Sequence, residues 1–510
     1  MKVVGGELGR RLRRFPLILL APLLVFLTLG AWAMSSPVGA SPDDDFHLAS
    51  TWCADAPNEY CGPISDRGLI EAPTSLLDSA CYAYEPEVSA ACQSEDWDLS
   101  TTELTNRANT VGGYPPVYYA FVNLFAGADV EASVLVMRFI NVVLFTALVT
   151  ALYLLLPVAR RPALVWSWVL TTVPLGLFML TSNNPSSWTI MGVGFGWIAL
   201  LGYFETDAKQ AGLGRKVALG AIFALCAFMA AGSRGDGALY SILAIVAVGI
   251  LAFSRSKRFL LKAILPLAVA VMCVMMYRFS RPIESVTGGV TSDSTSNFFV
   301  TVANNLLHVP SLWLGILGKD WGLGWLDTSM PAAVWVLGLL CFIGVGFVGM
   351  KGMSIRRFLV LVAGALVLAL MPAVLLSAAG SDVGTNLQPR YLLPLVVVFA
   401  GIMTLSSGWR PNRLTAAQWI LVATALSSTQ LLSLHIHMQR YVAGISNQSA
   451  NIDDHIDWWW DISLSPMTVW VIGSIAYSAL IFIVLHRMRR LPVTEPQEAS
   501  DSGKVTVSHA

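Results

Sequence analysis

Charge is what this sequence has least of. Only 13% of its 510 residues are Asp, Glu, Lys or Arg, against roughly 25% in an average soluble protein. Lys plus Arg and Asp plus Glu are equal at 32 each, so net charge is absent too. No basic stripe exists that could hold a phosphate backbone, so nucleic acid is not an expected partner. Long polar stretches are scarce, and apolar runs of about 20 residues recur along the chain. That excludes a soluble enzyme and a disordered protein. Ionisable groups are nearly missing from the middles of these runs. Arg138 and Lys262 lie near the ends of theirs. Proton- and ion-coupled transporters place carboxylates or histidines at membrane depth, and no clear internal repeat is present, so a carrier is disfavoured.

What is present predicts an all-α integral membrane protein of about 12 transmembrane helices, at 15–34, 133–156, 163–181, 187–204, 217–232, 237–253, 259–277, 331–350, 358–379, 391–407, 414–434 and 467–485. With the N-terminus inside, 23 of the 32 Lys and Arg fall on the inner side and every short inner loop is basic, as the positive-inside rule requires. This predicts a cytoplasmic N-terminus at 1–14, a first span at 15–34, an extracytoplasmic loop at 35–131 and a multi-spanning region at 132–485. Outer loops follow at 278–330 and 435–466, and a disordered cytoplasmic tail at 486–510. Residues 298–318 are apolar but contain Asn304, Asn305, His308 and Pro310, and are expected to be interfacial or re-entrant.

The first loop is the largest soluble piece. It holds 16 acidic residues, two basic ones (Arg67 and Arg107) and four of the seven cysteines. An even cysteine set on the outer side predicts two disulfides in an oxidising compartment. Proximity favours Cys53–Cys61 with Cys81–Cys92 among three possible pairings. The spacings do not match a zinc site. Cys226, Cys273 and Cys341 sit inside spans and are expected to be packing residues.

The unusual polar groups cluster just beyond the outer ends of the spans. Asp43, Asp44 and Asp45 follow the first span, then Phe46 and His47. Adjacent carboxylates repel, which raises some of their pKa values. Such a group can serve as a general base or hold a divalent cation, and equally it can be a solvated turn capping a helix. Tyr114, Pro115, Pro116, Tyr118 and Tyr119 precede the second span. They read as a stiffened aromatic edge of a site or as a plain interfacial belt. Asn184 and Pro185, Arg234 and Asp236, Arg278 and Arg281, Gly324 to Asp327 with Pro331, and Gln388 to Tyr391 complete the pattern. Outer arginines run against the positive-inside bias. A lipid-linked phosphate suits their planar fork, and so does an outer carboxylate or a lipid headgroup. His435, His437, Asp453, Asp454, His455 and Asp457 suggest a metal site or a loop anchored by Trp458, Trp459 and Trp460.

Taken in order, these motifs resemble the GT-C superfamily of integral-membrane glycosyltransferases, and within it a bacterial family of multi-spanning proteins largely uncharacterised. The likeness runs from about residue 15 to 430. It rests on Pro42, Asp43, Asp44 and His47; on Tyr114, Pro115, Pro116, Tyr118 and Tyr119; on Asn184 and Pro185; on Gly324, Trp325, Leu326, Asp327 and Pro331; and on Gln388, Arg390, Tyr391, Leu392, Leu393 and Pro394. Asp44 stands where that family often has Glu, Pro389 where Gly is expected, and the four-cysteine insertion is unusually large. The resemblance implies a polyprenyl-phosphate sugar donor and inverting transfer at the extracytoplasmic face of a bacterial plasma membrane. It implies a catalytic carboxylate at Asp43 or Asp44, with Asp43 favoured. The implied substrate-binding residues are His47, Tyr114, Tyr118, Asn184, Arg234, Arg278, Asp327, Gln388, Arg390 and Tyr391. The acceptor would be a cell-envelope glycan, lipid or protein. Whether Asp43 and Asp44 hold Mg2+ or Mn2+ is left open. A lipid-linked glycan ligase or polymerase, a flippase or other transporter, and a non-catalytic assembly subunit are the competing readings.

Overall fold

A computed structural model describes residues 17–93, 96–207, 212–279, 298–385, 387–406, 414–447, 449–454 and 458–490. The features placed at 1–14 and after residue 490, and Arg281, His455 and Asp457, lie outside them.

The chain is an all-α membrane protein. Its main helices are α1 (Leu17–Met34), α2 (Asp44–Trp52), α3 (Pro116–Val122), α4 (Val130–Leu155), α5 (Arg161–Val169), α6 (Leu175–Leu180), α7 (Ser186–Glu205) and α8 (Leu213–Ser233). They continue with α9 (Gly235–Ala252), α10 (Lys257–Phe279), α11 (Phe298–Ile316), α12 (Ala332–Gly349), α13 (Ile355–Ala378), α14 (Pro389–Thr404), α15 (Ala416–Ala443) and α16 (Pro466–Arg489). Eleven of the described helices are long and apolar enough to cross a membrane.

Three segments differ from expectation. The run at 163–181 is broken into α5 and α6. Thr171 and Thr172 turn their hydroxyls back onto the carbonyls of Ser167 and Trp168, at 2.5 and 2.8 Å, and Pro174 has no N–H with which to continue the ladder. The run at 391–407 becomes the 16-residue α14, short for a hydrocarbon core that takes about 20 residues. Where an interfacial or re-entrant segment was expected, α11 is one continuous helix with the length and composition of a span. Its Asn305 is buried, donating to Ser377 Oγ and the Ser381 carbonyl at 3.0 Å each.

α7 is the centre of the bundle, buried from Ser186 to Gly202 without a break. It packs this closely because of its small residues. A Cβ on Gly192 would stand 2.3 Å from the Cys226 carbonyl oxygen of α8. At one end of the bundle, basic side chains cap helix C-termini. Arg215 donates to the Leu155 carbonyl, Lys262 to those of Phe204 and Thr206, and Arg357 to those of Gly349, Ile402 and Met403. Cations there complement the negative ends of the helix dipoles.

The opposite end carries the first loop. It holds α2, α3 and an antiparallel pair, β1 (Ile70–Pro73) with β2 (Thr102–Thr105), Ile70 facing Thr105. Its cysteines pair as expected, Cys53 with Cys61 and Cys81 with Cys92, at Cα separations of 5.5 and 6.1 Å. Cys226, Cys273 and Cys341 are buried and free.

Candidate functional site

The site begins with a segment that has no ladder of its own. Residues 35–42 leave α1 as non-helical chain, so their carbonyls, like those of the last turn of α1, need partners from elsewhere. Arg138 of α4 donates to Ala33, Ser36 and Pro37. Trp460 serves Met34, Tyr82 and Gln93 serve Val38, Trp325 serves Gly39 and Tyr441 serves Ala40. Arg390 and Asn184 both donate to Pro42, at 2.8 and 3.0 Å. Gly39 is obligatory in this stretch: its φ is +80°, and a Cβ would meet Ser79 at 2.8 Å. At about 1 kcal/mol net for each bond, eight side chains from across the fold fix where the next residue points.

That residue is Asp43. It precedes α2 with φ +65°, a left-handed conformation that Asp tolerates better than most side chains. Its carboxylate accepts from Arg390 Nη2 at 2.5 Å. The arginine side chain is 1% exposed, whereas Asp43 is 34% exposed. Burial pulls the Asp43 pKa upward, but the Arg390 charge and bond, with His47 and Arg107, outweigh it, and the net shift is below the ordinary 3.8.

Asp43 opens into a cleft of about 410 Å3 between the loop and the ends of α9 and α14. Among the expected site residues, Tyr114, Arg234, Gln388 and Tyr391 line it as well. Arg234 is clamped bidentately by Asp236 at 2.9 and 3.0 Å. Its guanidinium lies 4.5 Å from the Tyr391 ring centre and 5.5 Å from that of Tyr114, a cation–π sandwich that holds it flat. Gln388 Oε1 is buried in the cleft wall with no partner among the described residues.

Other expected residues are placed elsewhere. Asp44 is fully buried and turned back onto Ser41, accepting from its N–H at 3.1 Å and from its hydroxyl. Burial raises its pKa to about 6 despite Arg138 and Ser41. Asp43 and Asp44 therefore do not converge on a shared cation, and no group of three metal-binding side chains forms among the described residues. His47 stands behind the cleft, buried, with Nδ1 at 2.8 Å from Tyr119 OH and Nε2 without a partner among the described residues. Burial holds its pKa well below the ordinary value, against the pull of Asp43 and with the help of Arg390, Arg234 and Arg107. Asn184 holds the turn and Arg390 holds both turn and carboxylate, so these two act behind the cleft surface. Tyr118 packs against Tyr119 and Trp188, out of the cleft. Asp327 is paired with the buried Arg440 at 2.9 Å, and Arg278 is exposed on the last turn of α10. In the last outer loop, His437 bonds Ser36, His435 lies near the Ala450 carbonyl, and Asp453 caps α16 through Ser465 and Met467. These side chains do not form a metal site.

The sequence reading missed one wall of the cleft: Phe46, Asn106, Arg107, Asn109 and Thr385. A signal for Arg107 was available, since it is one of two cations in a loop of 16 acids.

Residues 26–399 match the family described as predicted membrane protein, DUF2142. The chain belongs to this family. No curated protein and no solved structure matches it. The DUF2142 match takes in every cleft-lining residue, from Asp43 to Tyr391, and stops before Arg440, so the cleft is family territory and the last two helices lie beyond it.

Proposed function

We propose that this DUF2142 protein is a membrane glycosyltransferase. It transfers a sugar from a polyprenyl-phosphate donor to a cell-envelope acceptor at the extracytoplasmic face of a bacterial plasma membrane. The observation that carries this reading is Asp43. Among the described residues lining the cleft it is the one carboxylate, and it sits at the bundle end opposite the basic caps. Four residues of the motifs that resemble GT-C enzymes, Asp43, Tyr114, Gln388 and Tyr391, line the same cleft and support the reading. In the proposed reaction Asp43 accepts the proton of an acceptor hydroxyl. The freed oxygen attacks the anomeric carbon, the bond from that carbon to the phosphate oxygen breaks, and polyprenyl phosphate leaves with inversion.

Geometry selects Asp43 over Asp44, although the higher pKa of Asp44 suits a general base better. A base must reach the proton before its pKa matters, and Asp44 has no exposed surface. The low pKa of Asp43 keeps it ionised, so it takes the proton late, as the C–O bond to phosphate opens. Gln388, Tyr114 and Tyr391 line the space in which the sugar would sit.

The test uses the purified full chain in neutral-lipid nanodiscs. It is offered a panel of polyprenyl-monophosphate sugars with envelope extract as acceptor, with and without Mg2+ or Mn2+, and release of free polyprenyl phosphate is read. Release that disappears in Asp43→Asn is expected. Release unchanged in that variant removes Asp43 from the mechanism, and no release with any donor overturns the reading.

A further inference from the structure

The leaving phosphate needs a cation, and the obvious one is unavailable. Arg390 is buried behind Asp43. Its Nη1 is given to Pro42 and its Nη2 to Asp43 and Tyr391 OH. To meet a phosphate it would have to release the residue it orients. Arg234 faces the cleft, but its fork is filled by Asp236. The third arginine is different. Arg107 lies in the loop wall of the same cleft with its side chain 47% exposed. Its Nε and Nη2 bind Asp45 at 2.6 to 2.9 Å, and its guanidinium rests 5.7 Å from the Phe46 ring centre. Nη1 makes no hydrogen bond among the described residues.

Taking the transferase reading of this cleft as its basis, we propose that Arg107 is the receptor for the phosphate of the lipid-linked substrate. Asp45 occupies its fork in the empty cleft and is exchanged for that phosphate on binding. Three features favour Arg107 over its neighbours. It is the most exposed of the cleft guanidiniums. Its present partner is a carboxylate on the first turn of α2, whose geometry a phosphate's two oxygens reproduce. And it lines the cleft from the first loop, whereas Arg234 and Tyr391 line it from helix ends of the bundle. Phe46 keeps the fork flat while its partners change.

The proposal gives the two members of the pair opposite signs. The measurement is binding of polyprenyl monophosphate to the full chain in phosphatidylcholine nanodiscs, with the neutral polyprenol as reference. Arg107→Ala is expected to weaken binding about tenfold or more, since a hydrogen bond to a charged group is lost. Asp45→Asn is expected to tighten it roughly threefold, because the substrate no longer competes with an exposed ion pair. A merely structural pair would weaken binding alike in both variants, and that result overturns the proposal. So does binding in the wild type that Arg107→Ala leaves unchanged. A second arm adds phosphatidylglycerol. Equal competition that depends on Arg107 would make the site a headgroup site and overturn its assignment to the donor. The proposal and the transferase reading fail separately. Arg107-dependent binding with no transfer from any donor leaves the phosphate site and removes the enzyme. Transfer that is indifferent to Arg107→Ala does the reverse.

Discussion

Two of the arginine–carboxylate pairs at the loop end of this protein have opposite characters. In the cleft, Arg390 holds Asp43 at 2.5 Å with the carboxylate 34% exposed. In the pin between the loop and α15, Arg440 holds Asp327 at 2.9 Å with side chains 0% and 6% exposed. Both arginines also take backbone carbonyls, Pro42 for the first and Tyr82, Glu85 and Val88 for the second. The donor chemistry is the same in both. The difference is that one carboxylate keeps a face toward water and the other has none. A carboxylate with an open face can meet a substrate while its arginine holds it, whereas a closed pair fastens the loop to the bundle. Asp327 was expected in the site because its motif resembles that of a family of enzymes, and the structure makes it part of the clamp.

The comparison breaks if the two pairs respond alike to mutation. The largest effect is expected in the cleft. Asp43→Asn should lower transfer about 10²–10⁴-fold, the range for loss of a general base, while the protein stays folded and loses only the charge part of the Arg390 pair, because the amide oxygen still accepts from Arg390. In the pin the pattern reverses. Arg440→Ala removes the cation from a buried carboxylate and one donor from each of three carbonyls, and breaking such a buried pair costs about 3–5 kcal/mol. Loss of monodisperse, folded protein is the expected readout, rather than folded protein that is inactive. If Asp43→Asn aggregates and Arg440→Ala folds and fails only in transfer, the roles assigned here are exchanged.

The pin also depends on the disulfide that braces its carbonyls. Cys81–Cys92 closes the turn that presents Tyr82, Glu85 and Val88 to Arg440. A double Cys→Ser variant should lose about 2–4 kcal/mol, the usual value for a bridge. Removing Cys53–Cys61, at the end of α2, should disturb the Asp45–Arg107 wall of the cleft more than the pin. Limited proteolysis of the two variants, comparing cleavage around residue 85 with cleavage around residue 107, separates these outcomes.

Much of this was legible in the chain. The spans follow from apolar length, the basic end from the Arg and Lys count, and the disulfide pairs from proximity. The cleft was partly legible because its parts are polar residues at span ends: Asp43, Tyr114, Arg234, Gln388 and Tyr391 all line it. What the sequence could not supply was facing. Asp43 and Asp44 are neighbours with the same side chain, and only the left-handed turn at Asp43 sends them to opposite sides. Arg107 was passed over because its partner, Asp45, is 62 residues away and nothing local marks the pair. The break between α5 and α6 was hidden because Thr171 and Thr172 are apolar enough in context to continue a hydrophobic run, while their hydroxyls unwind it.

That facing has a pH signature, the smallest of the effects expected here. Asp43 has its pKa depressed below 3.8 in the folded state. Its contribution to stability is present above that value and is lost as pH falls through the lower, folded one. Asp44 has its pKa raised from 3.8 to about 6. The folded state then binds the extra proton between these values, so stability should fall as pH rises from about 4 to 6 and stay lower beyond. A shift of this size bounds the loss at about 3 kcal/mol, and the Arg138 attraction is already included in it. Asp44→Asn keeps an acceptor for the Ser41 N–H and removes the charge, so it should raise the melting temperature at pH 7.5, leave it unchanged near pH 4, and flatten the slope between. Asp43→Asn should not touch that window. If Asp44→Asn is less stable at pH 7.5 than the wild type, the bond of the ionised Asp44 to Ser41 is worth more than its burial costs. The two carboxylates would then be alike in the direction of their shift as well as in sequence.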